Sequence, residues 1–236
     1  MSSWYEWWNR PVPASEGSLG ALLTQVGKTE MGAAVAASQV DAIAAVLIQR
    51  LELTPEDVLL DLGCGNGLLS QALAPSVAQV VGVDFSEPLL AEAMATCHQA
   101  NVIYRKGNVA EMSPTLWLPH LPTKACCYEV VQHLDDDALR AMLLAVATGG
   151  DRDITVLIGG VPDLERQRAF YDTPERWVAY EKAREAGTDR MGRWWTRDEL
   201  VGVAASSGFE AITLQQPKGL YTSRYRFDAL LRRVRA

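Results

Sequence analysis

Short apolar runs alternate along this chain with longer stretches in which apolar residues recur at helical spacing. The short runs predict strands, and the longer stretches predict amphipathic helices. Strands are predicted at 58–62, 79–84, 101–105, 125–131, 154–158, 210–215 and 225–231. Helices are predicted at 30–51, 66–74, 87–98, 135–147 and 197–207, with Ser86 and Thr196 as N-caps and Gly208 as a stop signal.

Alternation of strands and helices predicts an α/β protein with a parallel sheet. We expect a Rossmann-like, doubly wound and mostly parallel seven-stranded sheet. The helix predicted at 30–51 precedes this alternation, so residues 1–57 are predicted as an N-terminal helical cover or lid. Residues 58–236 form the predicted core, with a helical insertion after strand 5 at about 162–195, where aromatic residues stand among many charges.

Composition agrees with one folded domain that carries additions. The 236 residues are 48% hydrophobic and 22% charged, which excludes wholesale disorder. The 29 acidic residues outnumber the 22 lysines and arginines, for a formal net charge of −7. Because such a charge repels a polyphosphate backbone, we expect no nucleic-acid partner.

Two further patterns concern the compartment. The first residues carry no positively charged head followed by an apolar run, and the apolar stretch at 32–47 is too short and too polar for a bilayer helix of about 20 residues. The cysteines Cys64, Cys97, Cys126 and Cys127 lack a CxxC spacing, which favours reduced core thiols. We therefore expect a cytoplasmic protein without a membrane partner; the sequence leaves the oligomeric state open.

The segment VLLDLGCGNG at 58–67 places three glycines on the turn between the first strand and the first helix. Glycines there allow positive φ and a close approach of a ligand to the backbone, while the helix N-terminus offers unpaired N–H groups. A tight turn without any ligand is the alternative. A ligand site at this turn is the prediction.

Three details distinguish this loop from a dinucleotide fingerprint. The third glycine of GxGxxG would fall at Leu68, whereas the spacing here is GxGxG. Asp61 places a carboxylate just before the loop, which would repel a pyrophosphate and attract an ammonium group. Asp84 ends the second strand, at about the offset where an acidic side chain binds ribose hydroxyls.

These motifs resemble those of the class I S-adenosylmethionine-dependent methyltransferases, over roughly residues 58–160. The resemblance implies S-adenosyl-L-methionine as cofactor, S-adenosyl-L-homocysteine as product and no metal. It also implies that Asp61, Gly63 and Gly65 surround the methionine portion. Asp84 would hold the ribose, and Phe85 would flank the adenine.

The remaining cofactor contacts come from later segments of the motif region. Asn108 stands where the family usually has an aspartate that meets the adenine amino group; its carbonyl can accept the same hydrogen bond. Cys64, Val109 and Glu129 complete the predicted set.

The fourth predicted strand continues into YEVVQHL at 128–134, which should face the reacting centre because ligands bind beyond the carboxyl ends of parallel strands. Methyl transfer to an alcohol requires removal of a proton, and an imidazole near its ordinary pKa suits that role. His133 is therefore the candidate base. The alternative is that His133 caps the next helix or contacts the cofactor.

Three aspartates, Asp135, Asp136 and Asp137, follow directly. They could hold Mg²⁺ beside a diol. We favour the reading that they begin a helix, because its dipole stabilises carboxylates in the first turn.

The acceptor pocket is predicted from segments outside the core. Flat aromatic side chains and a cation suit a sugar or an aromatic acid, and packing of the added helices on the sheet is the alternative for each aromatic residue. The predicted substrate contacts are Tyr5, Trp8, Lys28, Tyr171, Trp177, Trp194 and Trp195, with Arg166, Arg168, Arg176 and Arg193 nearby for an anionic group. The basic tail from Lys218 is interpreted as a solvated edge strand, or else as a site for an anionic substrate or partner.

Together these observations predict a methyltransferase that moves a methyl group from S-adenosylmethionine to a small molecule. A hydroxyl of a sugar-like or natural-product metabolite is the first expectation for the acceptor. Nitrogen or carboxylate acceptors stay open, as does a non-catalytic module of the same fold that docks a partner protein.

Overall fold

The structure, a computed structural model, describes residues 3–149 and 153–234. Helices in the first part are α1 Ser3–Trp8, α2 Leu19–Gln25, α3 Ser38–Leu51, α4 Leu68–Leu73, α5 Glu87–Thr96 and α6 Asp136–Thr148. Those in the second part are α7 Gln167–Phe170, α8 Pro174–Glu185 and α9 Arg197–Ser206. The strands are β1 Thr29–Glu30, β2 Ala33–Ala34, β3 Val58–Leu62, β4 Gln79–Asp84, β5 Val102–Lys106, β6 Lys124–Tyr128, β7 Thr155–Pro162, β8 Phe209–Gln215 and β9 Arg226–Arg233.

Within the described residues, seven strands form one sheet in the order β5-β4-β3-β6-β7-β9-β8. Strands β3 to β7 pair in parallel, and β9 runs antiparallel to both β7 and β8. The predicted Rossmann-like fold is confirmed. The direction of strand order reverses between β3 and β6, which is where ligands bind in open sheets of this kind.

Helices pack on both faces of the sheet because side chains alternate along each strand. Leu60 and Leu62 of β3 face α6 and α9, whereas Leu59 faces α3 and α4. The caps act as predicted: Ser86 accepts a hydrogen bond from the Leu89 N–H, and Thr196 forms a capping box with Glu199. The carboxyl ends of β3, β4 and β6 are thereby held at one edge.

The prediction of one helix over 30–51 is wrong at its start. Residues 29–34 form a small hairpin in which Met31 and Gly32 have φ of +51° and +82°. Those left-handed positions end any helix, so α3 begins only at Ser38. The interpretation of the tail as a solvated edge strand is also wrong, because β9 lies inside the sheet between β7 and β8.

All four cysteines are buried and free, as predicted. The predicted helical insertion contains α7 and α8 but is irregular elsewhere. Among the described residues, no helix combines the length and apolar character that a membrane crossing needs. The boundary between the N-terminal cover at 1–57 and the core at 58–236 stays a prediction.

Candidate active site

A tight turn through Gly63, Gly65 and Gly67 connects β3 to α4. All three glycines have positive φ, from +56° to +80°. A Cβ on Gly63 would lie 2.4 Å from Cγ2 of Val130, so this position excludes any side chain. The turn brings its backbone N–H groups to the carboxyl edge of the sheet.

Asp84, at the end of β4, is bonded to this turn. The Gly65 N–H donates to its Oδ2 over 2.8 Å, and the Ser86 N–H donates to its Oδ1 over 2.8 Å. Burial raises the pKa of Asp84 to about 6, against the lowering effect of these hydrogen bonds. The backbone N–H of Phe85 also hydrogen-bonds to this carboxylate. A carboxylate has about four lone-pair sites, so acceptor capacity remains for a ligand. The predicted ribose anchor is thus ionised at neutral pH and held rigidly.

An open cavity lies beside these groups. The predicted cofactor residues that line it are Gly63, Cys64, Gly65, Asp84, Phe85, Asn108, Val109 and Glu129. Trp8, Lys28 and His133 line it as well. Residues of distant segments therefore converge on one cavity.

Asp61 is the predicted cofactor residue that does not line this cavity. Its Oδ2 accepts a hydrogen bond from Ser70 Oγ over 2.6 Å, and Cys126 Sγ lies 3.5 Å from Oδ1. Burial raises its pKa, with these two contacts acting in the opposite direction. In this structure Asp61 ties β3 to α4 and β6.

Asn108 has a partner of its own at the cavity wall. Its Oδ1 accepts the Ala110 N–H over 3.0 Å and caps a short turn. The same oxygen has a second lone pair. The predicted contact with an adenine amino group is compatible with this arrangement and stays a prediction.

The N-terminal segment lies against the same cavity. The ring of Tyr5 stacks on Phe85 with centroids 4.8 Å apart and an interplanar angle of 17°. Ser86 Oγ donates to the Trp8 carbonyl over 2.7 Å. Trp7 lies between the guanidinium groups of Arg10 and Arg190, at 3.2 and 3.6 Å from its ring. Helix α1 therefore connects the β4 side of the cavity to the insertion.

His133, the predicted base, meets α1 directly. The indole N–H of Trp8 donates to His133 Nε2 over 3.2 Å. Burial and, to a lesser extent, the positive charge of Arg226 lower the pKa of His133 to about 4. The expectation of an ordinary imidazole pKa is therefore wrong. His133 is neutral at pH 7.

Lys28 and Glu129 form a buried ion pair at the same end of the cavity. Lys28 Nζ lies 2.7 Å from Glu129 Oε2, with 6% and 12% of the two side chains exposed. Burial alone would raise the pKa of Glu129, but Lys28 and Arg226 outweigh it and hold this pKa below its usual value. A carboxylate therefore persists at the cavity wall.

The aromatic residues of the insertion pack mainly on one another. Tyr171 stacks on Tyr180 at 4.3 Å and lies 5.9 Å from Trp194 and 6.2 Å from Trp177. Trp195 is fully buried and donates to the Val131 carbonyl over 3.1 Å. None of these four predicted substrate residues lines the cavity.

The charged residues that were candidates for an anionic group or a metal also have protein partners. Arg166 pairs with Asp163, Arg176 with Asp172 and Arg193 with Asp136, while Arg168 lies over the ring of Trp177. The Asp135 side chain accepts the Ala138 N–H as N-cap of α6. Within the described ranges, no group of three or more His, Cys, Asp or Glu side chains could hold a metal ion.

Some cavity residues escaped prediction. Asn66 is fully buried; its amide donates to the Leu22 carbonyl and to Gln25 Oε1, and its Oδ1 has no partner among the described residues. The sequence signal that could have identified this residue is its polar side chain within the glycine motif GCGNG at 63–67. The other unpredicted lining residues are apolar or core-like: Val26, Leu68, Leu69, Leu89, Tyr128, Val130 and Leu134.

Comparison with known proteins gives the following likenesses. The methyltransferase domain family matches residues 59–150. The chain is 34% identical over 108 residues to a ubiquinone biosynthesis O-methyltransferase of Pseudomonas fluorescens, covering 43% of this chain and 44% of that protein. A protein of the same name from Nitrosospira multiformis is 34% identical over 102 residues, or 42% and 41% of the two chains. The matches thus span less than half the length of these relatives.

Solved structures extend the likeness over nearly the whole chain. The mitomycin 7-O-methyltransferase MmcR superposes with a TM-score of 0.61 at 14% identity, covering 99% of this chain and 61% of its own. The magnesium protoporphyrin IX methyltransferase of Synechocystis PCC 6803 was solved with bound S-adenosylmethionine. It superposes with a TM-score of 0.56 at 20% identity, covering 99% of this chain and 92% of its own. At these identities the likeness concerns the fold.

Proposed function

The chain carries a methyltransferase domain of the class I S-adenosylmethionine-dependent family, and from this premise we propose that it transfers a methyl group from S-adenosylmethionine to a small molecule. The acceptor in this proposal is a hydroxyl of a small metabolite. The names of the curated relatives, which are O-methyltransferases, support oxygen as the acceptor atom.

One observation supports the cofactor site above all others. Asp84 Oδ2 accepts the N–H of Gly65, so the acid that would bind a ribose and the turn that would carry the methionine portion form one rigid unit. The cavity beside this unit is lined by both of them. The chemistry of these residues thus fits an adenosyl cofactor.

The fit extends to both ends of the cofactor. Phe85 and Val109 would enclose the adenine apolar faces, and Asn108 would meet its edge. At the other end, Asn66 Oδ1 is a buried acceptor without a partner among the described residues, which suits an ammonium group. S-adenosylmethionine supplies a methyl group that its sulfonium already activates.

The chain's own residues would exclude water and place the acceptor. We assign α1, α2 and the hairpin at 29–34 to a lid, because Tyr5 contacts a residue after β4, whereas Trp8 and Lys28 contact residues after β6. A closed lid strengthens electrostatic interactions inside the site. His133 is retained as a candidate base. It could act only after the hydrogen bond from the Trp8 N–H to its Nε2 is broken.

The test is a transfer assay with S-adenosylmethionine and a panel of small phenols, sugars, amines and carboxylic acids, read by mass spectrometry as the gain of one CH₂. We expect methylation by the wild type and by D198A, an exposed control on α9. D84A should reduce it by at least about tenfold, the value of one hydrogen bond to a charged group. Equal yields from D84A and wild type would overturn the assignment of the site.

A further inference from the structure

Glu129 has an unusual backbone for a residue that is not glycine. Its φ is +59°, in the left-handed region, directly after β6. Such a position is strained and is found preferentially at functional sites. Its N–H donates to the Gly159 carbonyl over 2.8 Å. A Cβ on Gly160 would lie 2.6 Å from Glu129 Cγ, so the glycine leaves room for the glutamate side chain.

Groups from three segments hold this side chain as a carboxylate. Lys28 Nζ binds Oε2, and the Tyr221 hydroxyl donates to Oε1 over 3.0 Å. Buried Arg226 on β9 contributes a further positive charge. Tyr128 and Asp228 also face this group, and Asp228 is neutralised by its own ion pair with Arg50. A carboxylate has about four lone-pair sites, and Glu129 lines the cavity.

The position of Glu129 relates it to the reacting end of the cofactor. Asp84 ends β4 on one side of β3, and Glu129 follows β6 on the other side. Asp84 and the glycine turn after β3 would hold the ribose and the methionine portion of the cofactor, and β6 is the next strand beyond that turn. This step rests on the function proposed above. Glu129 and His133 both follow β6 and both line the cavity.

The two groups differ in the acceptor sites that remain to them. The Nε2 lone pair of His133 already accepts the Trp8 N–H. Glu129 is ionised, and its two oxygens offer about four lone-pair sites to the donors Lys28 and Tyr221. The geometry therefore separates a carboxylate with acceptor sites left over from an imidazole whose Nε2 is occupied.

We propose that Glu129 lies at the transferred methyl group and receives the proton of the methyl acceptor. The acceptor heteroatom would bond to the methyl carbon, the carbon–sulfur bond would break with its electron pair going to sulfur, and the acceptor's proton would pass to a Glu129 oxygen. This arrangement selects a neutral acceptor that donates a hydrogen bond. It disfavours a carboxylate acceptor, because two like charges would meet in a buried site.

The experiment compares two cofactor analogues by isothermal titration calorimetry. Sinefungin carries CH–NH₃⁺ where S-adenosylmethionine has the methyl-bearing sulfonium, whereas S-adenosylhomocysteine is uncharged at that point. We expect the wild type to bind sinefungin at least about tenfold more tightly than S-adenosylhomocysteine, the value of a charge-assisted contact. E129Q should bring this ratio close to one, and E165Q, an exposed control, should leave it unchanged.

A ratio unaffected by E129Q, or a wild type without preference, would overturn the proposal while leaving the proposed function intact. Failure of the wild type to bind S-adenosylhomocysteine would instead contradict the proposed function itself. If E129Q does not fold, E129D keeps the charge but withdraws it by one methylene, and the ratio should fall by at least about threefold. In the acceptor panel, methyl ester formation from a carboxylic acid would also contradict the proposed role of Glu129.

Discussion

The indole N–H of Trp8 donates to Nε2 of His133 across 125 positions of sequence, over 3.2 Å. This contact places a residue of the N-terminal helix α1 on the histidine that follows β6. It occupies the lone pair that a general base would use. While α1 holds this position, the Nε2 lone pair of His133 is not available to a substrate.

Replacement of Trp8 by phenylalanine should raise the pKa of His133 from its value of about 4. Donation to Nε2 favours the neutral imidazole, so its loss favours the protonated form. NMR titration of the histidine ring measures the shift. The matched control is W7F, because the ring of Trp7 lies between two arginines. An unchanged or lower pKa in W8F would show that the contact does not govern His133.

Affinity for S-adenosylhomocysteine should depend on pH through Asp84. Its pKa of about 6 lies above the ordinary value of 3.8, and hydroxyl groups of a ribose require the ionised form as acceptor. We expect affinity to fall about tenfold between pH 7.5 and 5, since about one tenth of such a group is ionised at pH 5. Calorimetry across this range should show no such slope for D84N. A slope that persists in D84N would assign the titration to another group.

Gly63→Ala should destabilise the fold. The substitution forces a left-handed φ of +76° on a residue with a Cβ and brings that Cβ against Val130. The expected loss in the free energy of unfolding is about 2 kcal/mol or more, measured by urea denaturation. Gly219→Ala adds a methyl group to open space and should change stability by less than about 0.5 kcal/mol. Equal effects of the two variants would contradict the geometry of the turn.

Lys28→Met should destabilise the protein by about 3 kcal/mol, because it leaves the Glu129 carboxylate buried with less compensation. The double variant K28M/E129Q should lose less than the sum of the two single variants, as a thermodynamic cycle on urea denaturation would measure. Since the pKa of folded Glu129 lies below 4.5, its stabilising contribution is present above that pH and is lost as the pH falls through the folded value. Additive effects would mean that the ion pair contributes nothing.

The sheet and the cofactor end of the cavity were predictable because their signals are local. The Gly63–Gly67 turn, the N-cap Ser86 and the strand ending in Asp84 each follow from neighbouring residues, and their positions agree with prediction. The helix over 30–51 was misjudged because the Ala-rich stretch from Gly32 has helical composition. The left-handed φ of Met31 has no comparable signal in the sequence.

The acceptor end could not be predicted in the same way. Tyr171 and Trp194 have the size and chemistry of a substrate wall, yet they pack on each other and on neighbouring rings. Composition does not determine which way an aromatic side chain faces. The pairing of Lys28 with Glu129 spans 101 positions and depends on the folded chain.

Direct binding of S-adenosylhomocysteine to the purified wild-type protein tests the central claim, that the glycine turn and Asp84 hold an adenosyl sulfur cofactor. Calorimetry should give one site per chain, and D84A should weaken binding by at least about tenfold. A nicotinamide dinucleotide titrated in parallel should give no binding. Binding of the dinucleotide with no response to S-adenosylhomocysteine would contradict the account.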